Sequence, residues 1–510
     1  MKERFSLEHK EWTIQEIVNI WKSDLNIKLS AKSIELINSS RSKLDQIIQD
    51  SDNAIYGINT GFGALCNTII RSDELDQLQI NLVRSHACGT GKEISVSLVK
   101  LILLLKIISL SKGYSGVRLE LVEFLIELYN NKIYPSIPEM GSLGASGDLA
   151  PLSHLSLLCI GEGELLSHST QINQSVKEIL SQNNIQIPML KAKEGLALLN
   201  GTQYSLALLL EACTTAEDLY HQASVISALS MEAFNCSTDF LNEEIHEIRK
   251  QKGQIFTAAQ IRKILSQGNL KTRTKNSVQD PYSFRCIPQV HGASYDAIIY
   301  VKGIIENEIN AVSDNPLILS NGQILSGGNF HAQPLALSSD FLSIAVSELG
   351  NISERRIYQL INGSRGLPDF LTQDAGLNSG YMIVQYSAAS LVSLNKQMCT
   401  PSSVDSIVTS KGQEDHVSMA ANAGLKCLGI VERCSKILSM EWMTACRAWN
   451  FRKEEWKLGS NLESIFESYR EQVPFQALDH IPSLDYDRTS DFLTKLNLGK
   501  GLRNSSEITN

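Results

Sequence analysis

The 510-residue chain is long enough to bury a large hydrophobic core, and its length alone allows two to four domains. Hydrophobic residues make up 43% of the chain and charged residues 20%, which is ordinary for a soluble globular protein. The net charge of −9 argues against nucleic acid or an anionic membrane surface as partner, because both need clustered lysine and arginine. The densest basic patches, residues 249–252 and 271–275, are short, and we expect both to be solvated faces.

No membrane segment or disulfide framework is expected. The most apolar run, Val99–Leu110, contains Lys100 and Lys106, so the pattern favours a buried core helix over a bilayer span. The first residues contain no apolar signal region. Ten cysteines are scattered from Cys66 to Cys446 without a Cys-x-x-Cys pair, which is typical of reduced, buried thiols. These features predict a soluble, cytoplasmic protein.

Helical patterns dominate the chain from its start. Thr13 and Glu16 form a predicted capping box before an apolar helical face. A small hairpin is predicted for Leu317–Leu325 around Asn321-Gly322. Long stretches almost free of helix breakers follow one another at 206–232, 287–312, 335–362 and 416–448. We therefore predict a mainly α protein of long bundled helices, and one integrated domain, because no repeat or linker divides the chain.

Glycines cluster in loops, where the backbone can approach a ligand closely. These loops are 57–63, 89–91, 141–147, 327–328 and 363–366. The loop from Tyr56 to Gly63 lacks the Gly-Lys-Ser/Thr of a phosphate-binding loop, and His246-Glu247 lacks the second histidine of a zinc protease. The histidines form no metal-ligand pattern, so no metal is predicted.

The stretch from Gly141 to His154 is the most specific motif. In one interpretation it is a glycine-rich turn in which Ser146 or Asp148 caps the following helix. In the other, Ala145-Ser146-Gly147 forms an electrophile from the chain itself. The Gly147 nitrogen attacks the Ala145 carbonyl, and loss of water, including the Ser146 hydroxyl, leaves an exocyclic methylene. Glycine permits the tight conformation, alanine does not crowd it and serine supplies the leaving hydroxyl.

With this motif the chain resembles the ammonia-lyase and aminomutase family that uses a methylidene-imidazolone prosthetic group. The resemblance runs from about Tyr56 to Met443. Its motifs, in the order of the family, are the tyrosine loop 56–63, Ala145-Ser146-Gly147, Asn200 within 193–202, the segment 278–286, and Phe330 within 326–331. Together these motifs leave little room for the interpretation of Ser146 as a simple turn residue.

The resemblance implies a role for each matching residue. Ala145-Ser146-Gly147 would cyclise to 4-methylidene-imidazol-5-one (MIO), with no external cofactor, and Tyr56 would remove the β-proton of an amino-acid substrate. Asn200 and Gln279 would hold the prosthetic carbonyl and the substrate carboxylate. The other implied roles are carboxylate pairing for Arg285, shaping of the base side for Tyr282 and ring packing for Phe330.

The resemblance also implies the architecture. We expect a long central helical bundle of the fumarase/aspartase-like superfamily, with a smaller mixed N-terminal lobe that carries the MIO loop. In a single lyase domain spanning 1–510, the lobe would cover about 1–200 and the bundle with the C-terminal helices about 201–510. The family builds each site from three subunits, so a homotetramer is implied.

Substrate choice depends on few residues. Tyrosine- and phenylalanine-using members typically carry Asn-Gln-Asp where this chain has Gln413-Glu414-Asp415, and residues 413–419 resemble the histidine-using members. His86 and Glu414 suit an imidazole, which offers one donor and one acceptor when neutral. Glu414 has an alternative interpretation as a helix cap. A histidine lyase is thus predicted, with a tyrosine lyase, a tyrosine 2,3-aminomutase and a catalytically silent relative as alternatives.

Several positions depart from the family pattern. Lys411-Gly412 stands where histidine enzymes usually have small residues followed by asparagine, Leu394 stands where an acid is common, and Gln333 replaces a usual glutamate. The last sixty or so residues match poorly. These departures affect the choice of substrate and leave the predicted chemistry intact.

Overall fold

The computed structural model describes residues 4–50, 54–166, 174–275 and 277–496, and these residues are mainly helical. The predicted fold class is therefore confirmed. The chain separates into two compact units. The first comprises the described residues of Met1–Glu211, Lys302–Asp340 and Pro401–Leu425, and the second those of Ala212–Val301, Phe341–Thr400 and Lys426–Asn510. A single integrated lyase domain with a lobe boundary near residue 200 stays a prediction.

The first unit contains three small sheets and eight complete helices among its described residues. Its strands pair as β1 (Arg4–Leu7) with β2 (Asn26–Leu29), parallel, and β3 (Thr90–Glu93) with β4 (Pro138–Met140) and β5 (Leu317–Ile318) with β6 (Ile324–Leu325), both antiparallel. Its helices are α1 (Ile14–Lys22), α2 (Ala31–Asp50), α3 (Leu75–His86), α4 (Val96–Ser111), α5 (Leu119–Asn130), α6 (Leu149–Ser156), α7 (Val176–Gln182) and α8 (Glu194–Leu199).

Four long helices have residues in both units, and six more lie in the second. The long ones are α9 (Gln203–Phe234), α13 (Ile287–Ile309), α14 (Gln333–Ile361) and α16 (Ala420–Asn450). The six are α10 (Glu243–Glu247), α11 (Lys252–Leu265), α12 (Tyr282–Arg285), α15 (Met382–Met398), α17 (Ser460–Gln472) and α18 (Ser483–Lys495). The four breaker-poor stretches of the sequence fall on the four long helices, as predicted.

Within the second unit, buried polar contacts connect the long helices. Arg356 of α14 forms a fully buried ion pair with Glu441 of α16, with nitrogen–oxygen distances of 2.5 and 2.8 Å. Glu441 also accepts the Ser230 hydroxyl of α9 at 2.7 Å, and Ser294 of α13 donates to the Ala345 carbonyl of α14 at 2.7 Å. These contacts confirm a packed helical bundle in this unit.

Local predictions in the first unit are also confirmed. Thr13 and Glu16 form both hydrogen bonds of the capping box at the start of α1. The hairpin pairs Leu317 with Leu325. The apolar run lies on α4, which is buried from Leu98 onward except at Lys100. No helix in the described part of the chain is long and apolar enough to cross a membrane, and a cytoplasmic location stays a prediction.

One basic patch is not the solvated face that we predicted. Residues 249–252 are exposed. In 271–275, however, the side chain of Arg273 is only 4% exposed, and it pairs with Glu232 and lies 4.6 Å from the centroid of the Trp456 ring. Lys275 donates to the Asn235 side chain at 2.8 Å. Packing against other helices therefore covers the Arg273 side chain, which charge spacing alone does not reveal, while Lys271 stays exposed.

The cysteines are all free thiols. Six are buried, which agrees with the prediction, whereas Cys66, Cys286 and Cys399 are half-buried and Cys88 is exposed. No group of three or more possible metal ligands occurs among the residues that the structure describes.

Candidate functional site

The Ala145-Ser146-Gly147 loop lies between β4 and α6 and is held tightly at its last residue. Gly147 has φ +74° and forms a parallel bridge with Gly201. A Cβ at position 147 would lie 2.6 Å from the Gly201 nitrogen. The next amide, that of Asp148, donates to the Gly201 carbonyl at 2.8 Å. Only glycine fits this position, because both its conformation and the close backbone exclude a side chain.

Asp148 fixes the same loop through hydrogen bonds of its side chain. Its buried carboxylate accepts the Ser142 hydroxyl at 2.7 Å and the Ser205 amide and hydroxyl at 2.8 Å each. Burial raises the pKa of Asp148, and these donors oppose that effect. Asp148 directly precedes α6, but its side chain makes no capping hydrogen bond to the helix. The interpretation of this motif as a simple helix cap is therefore wrong for Asp148.

Asn200 contacts the middle residue of Ala145-Ser146-Gly147, the three residues that we call the triad. Its side-chain nitrogen donates to the Ser146 carbonyl at 2.7 Å and to the Ser146 hydroxyl at 3.1 Å. Asn200 is 2% exposed, and its side-chain oxygen is buried without a hydrogen-bond partner among the described residues. Three features fit a cyclised Ala145-Ser146-Gly147 group. They are the amide donor on the Ser146 carbonyl, the buried Asn200 oxygen without a partner among the described residues, and the position of Gly147, which only glycine can occupy.

Two cavities of about 480 and 560 Å³ meet at the triad, and both belong to the first unit. Tyr56, Gly63, Ser146 and Glu414 line both of them. The first cavity is also lined by His86, and the second by Ala145 and Phe330. The structure thus brings together seven predicted residues: Tyr56, His86, Ala145, Ser146, Phe330 and Glu414 at the cavities, with Asn200 bonded to Ser146.

Tyr56 is half-buried at the boundary of the two cavities. Burial raises the pKa of its phenol, and the nearby Cys66 and Glu414 raise this pKa further. The Gly63 amide, which donates to the phenol oxygen at 3.5 Å, lowers it. These surroundings keep the phenol protonated at neutral pH.

His86 presents a neutral imidazole. Its Nδ1 lies 2.9 Å from the Leu82 carbonyl, which can only accept, so Nδ1 carries the proton of the neutral ring. Burial lowers the pKa of His86, while the Leu82 bond and Glu414 raise it. The other ring nitrogen, Nε2, is then an acceptor.

Glu414 is not at a helix N-terminus. It follows a short turn of 3-10 helix at Ser410–Gly412, and α16 begins only at Ala420. Its carboxylate accepts the Thr409 hydroxyl at 2.7 Å and lines both cavities. The alternative interpretation of Glu414 as a helix cap is therefore wrong.

Three predicted residues, Gln279, Tyr282 and Arg285, lie in the second unit and line neither cavity. Tyr282 is 71% exposed, and the Arg285 guanidinium lies 4.6 Å from the centroid of its ring. The buried Arg285 Nε has no hydrogen-bond partner among the described residues. Their roles in the site stay predictions.

Several residues in or next to the cavities were not predicted from the sequence. Thr409 positions Glu414, and His331 and His416 line the second cavity with ring centroids 5.5 Å apart. Both histidines lie within sequence motifs that carry the family resemblance. Their position beside Phe330 and Glu414 in these motifs could have marked them as site residues. Thr409 gave no signal, because its contact depends on how the loop folds back.

Comparison with known proteins agrees with this fold and site. A family model described as aromatic amino acid lyase matches residues 12–471. A histidine ammonia-lyase of Streptococcus gordonii is 42% identical over 505 residues, covering 99% of this chain and 96% of the relative. The chain belongs to the aromatic amino acid lyase family.

Solved structures give the same assignment. The histidine ammonia-lyase of Trypanosoma cruzi has a TM-score of 0.90 at 37% identity, covering 98% of this chain and 95% of that one. The tyrosine aminomutase of Streptomyces globisporus has a TM-score of 0.92 at 31% identity, covering 99% and 100%. The family is the methylidene-imidazolone class of lyases and aminomutases.

Proposed function

We propose that this chain removes ammonia from L-histidine without oxidation and releases trans-urocanate. The observation that carries the proposal is the placement of the Glu414 carboxylate at the cavity that also contains Ser146. A neutral imidazole substrate has one N–H to donate, and Glu414 accepts it in a charge-assisted hydrogen bond. The names of the relatives in Streptococcus gordonii and Trypanosoma cruzi support the same substrate.

Ala145-Ser146-Gly147 would form the electrophile, a methylidene-imidazolone, with no external cofactor. When formed, this group supplies an acceptor for the substrate amino group, which otherwise leaves poorly as ammonia. Asn200 holds the central carbonyl through its side-chain amide. Gly147 and Asp148 keep the loop against Gly201, so the reacting backbone atoms are positioned before the reaction.

Tyr56 would take the β-proton of the substrate. This role is supported by the position of Tyr56, which lines both cavities together with Ser146. Its raised pKa means that only a small fraction of the phenol is ionised at neutral pH. General-base catalysis by Tyr56 is therefore expected to strengthen with alkalinity.

Phe330 would pack against the substrate or the prosthetic ring from the second cavity. Arg285 would pair with the substrate carboxylate, with Gln279 and Tyr282 beside it. We propose that the enzyme is a homotetramer in which sites are shared between subunits. The exposed Tyr282 and the orphaned Arg285 Nε are consistent with a role that is completed by another subunit.

Ultraviolet absorbance of the purified enzyme with L-histidine, L-tyrosine and L-phenylalanine in separate reactions tests the proposal. We expect the urocanate band to grow with L-histidine alone. A coumarate or cinnamate band would reassign the substrate. Loss of amino acid without any band would indicate an aminomutase, and an unmodified intact mass would favour a silent relative.

A further inference from the structure

Lys106 is a buried lysine on α4 whose ammonium contacts the backbone next to the site. It is 1% exposed, and its Nζ donates to the Ala197 carbonyl at 2.9 Å and to the Asn200 carbonyl at 2.8 Å. Both acceptors lie at the end of α8, where carbonyls lack partners within the helix. Burying an ammonium is costly, so its position in the core requires these hydrogen bonds.

The backbone of Asn200 is thereby hydrogen-bonded at both its N–H and its carbonyl. Its backbone N–H donates to the Leu196 carbonyl at 2.8 Å, and its backbone carbonyl accepts from Lys106. The side-chain amide is left to reach Ser146, at 2.7 Å from the carbonyl and 3.1 Å from the hydroxyl. A shift of the Asn200 backbone would move this amide off the Ser146 carbonyl.

The segment that Lys106 holds also forms a wall of the triad loop. Gly201, directly after Asn200, bridges Gly147 and accepts the Asp148 amide at 2.8 Å. The ammonium therefore fixes the piece of backbone against which Gly147 and Asp148 are positioned. Lys106 lines neither cavity.

Charged groups surround Lys106 without replacing its carbonyl partners. Burial, with a smaller contribution from nearby Lys193, lowers its pKa to about 7, although Asp314 and Asp148 act to raise it. Lys193 and Asp314 form their own buried ion pair at 2.7 Å. Removing the ammonium would leave the Ala197 and Asn200 carbonyls without this donor.

We propose that Lys106 is a positioning residue that keeps Asn200 on the Ser146 carbonyl and thereby supports formation and use of the electrophile at Ala145-Ser146-Gly147. This inference rests on the proposed function, because it requires that the triad reacts. It predicts an effect on the cyclised fraction and on kcat, with KM little changed, because Lys106 acts through Asn200 and does not line the cavities.

A double-mutant cycle of Lys106→Met and Asn200→Ala in the full-length protein tests this role. We expect Lys106→Met to lower the cyclised fraction, measured as a loss of about 36 Da in intact mass, or to lower kcat about 10- to 100-fold. KM should stay within about twofold of the wild type. The double variant should be no worse than Asn200→Ala alone, because both act on one contact.

Lys100→Met is the matched control. Lys100 lies on the same helix, is half-buried and donates to the Ser23 carbonyl, so it should change stability without changing the cyclised fraction. Circular dichroism and thermal melting establish that each variant is folded. If Lys106→Met does not fold, Lys106→Gln takes its place in the cycle.

The outcomes separate the two proposals. A wild-type protein without the mass loss would refute the proposed function, whatever the variants do. A wild-type protein with the loss, combined with independent, multiplicative effects of Lys106→Met and Asn200→Ala, would overturn the positioning role alone. Failure of both Lys106 variants to fold while Lys100→Met folds would also overturn it, in favour of a purely structural role.

Discussion

Replacing Glu414 with glutamine should cost the enzyme most of its efficiency on L-histidine. The change keeps the shape of the side chain and removes the charge that accepts the substrate N–H. A hydrogen bond to a charged group contributes about 1.5 to 3 kcal/mol, which corresponds to about a 10- to 150-fold fall in kcat/KM. Because Glu414 is half-buried and thus partly screened by solvent, we expect the lower part of this range.

Thr409→Val should act in the same direction with a smaller effect. It removes the hydroxyl that donates to Glu414 at 2.7 Å and leaves the carboxylate charged. A neutral donor of this kind contributes about 1 kcal/mol, or about fivefold in kcat/KM. In the double variant the two effects should not add, because both act on one carboxylate.

Initial rates of urocanate formation, followed by ultraviolet absorbance, give kcat/KM for each variant. Asp405→Asn is the matched control, because it neutralises an exposed carboxylate in the same stretch of chain. It should change kcat/KM by less than about twofold. If Glu414→Gln kept full activity on L-histidine, the assignment of Glu414 as the substrate contact, and with it the main structural argument for histidine, would fail.

Four further outcomes follow from the structure. Gly147→Ala should abolish the mass loss of about 36 Da, because a Cβ would lie 2.6 Å from the Gly201 nitrogen; Gly322→Ala, at φ +86° with open space around it, should keep the loss. Tyr56→Phe should lower kcat about 100-fold or more. In the wild type, kcat/KM should rise with pH through the alkaline range, because burial raises the Tyr56 pKa and the base is the ionised form; a profile flat from neutral pH upward would contradict this assignment. Glu441→Gln should destabilise the protein by about 3 to 5 kcal/mol in urea unfolding, because it leaves the Arg356 charge buried and unpaired; a loss below about 1 kcal/mol would show that this pair is solvated.

Much of the fold was predictable because its signals are local. The capping box of Thr13 and Glu16 depends on residues three positions apart, and the Asn321-Gly322 hairpin on a two-residue turn. The long helices were visible as stretches without breakers. The motif predicted to form the electrophile was equally local, since Ala145, Ser146 and Gly147 are consecutive.

The tertiary structure decided which distant residues meet and what their surroundings do to them. Lys106 was visible in the sequence only as a charge that interrupts an apolar run, and Thr409 not at all, because their contacts with Asn200 and Glu414 arise from packing. The buried Arg273 was mistaken for a solvated charge for the same reason.

The sequence by itself therefore determined the helical class, the triad and the family, because periodicity, turn chemistry and contiguous motifs are properties of neighbouring residues. Only the tertiary structure decided that Tyr56, Ser146 and Glu414 line the same cavities, that Glu414 is no helix cap, and that burial raises the Tyr56 pKa. Proximity and desolvation depend on how the whole chain packs, and no local pattern encodes them.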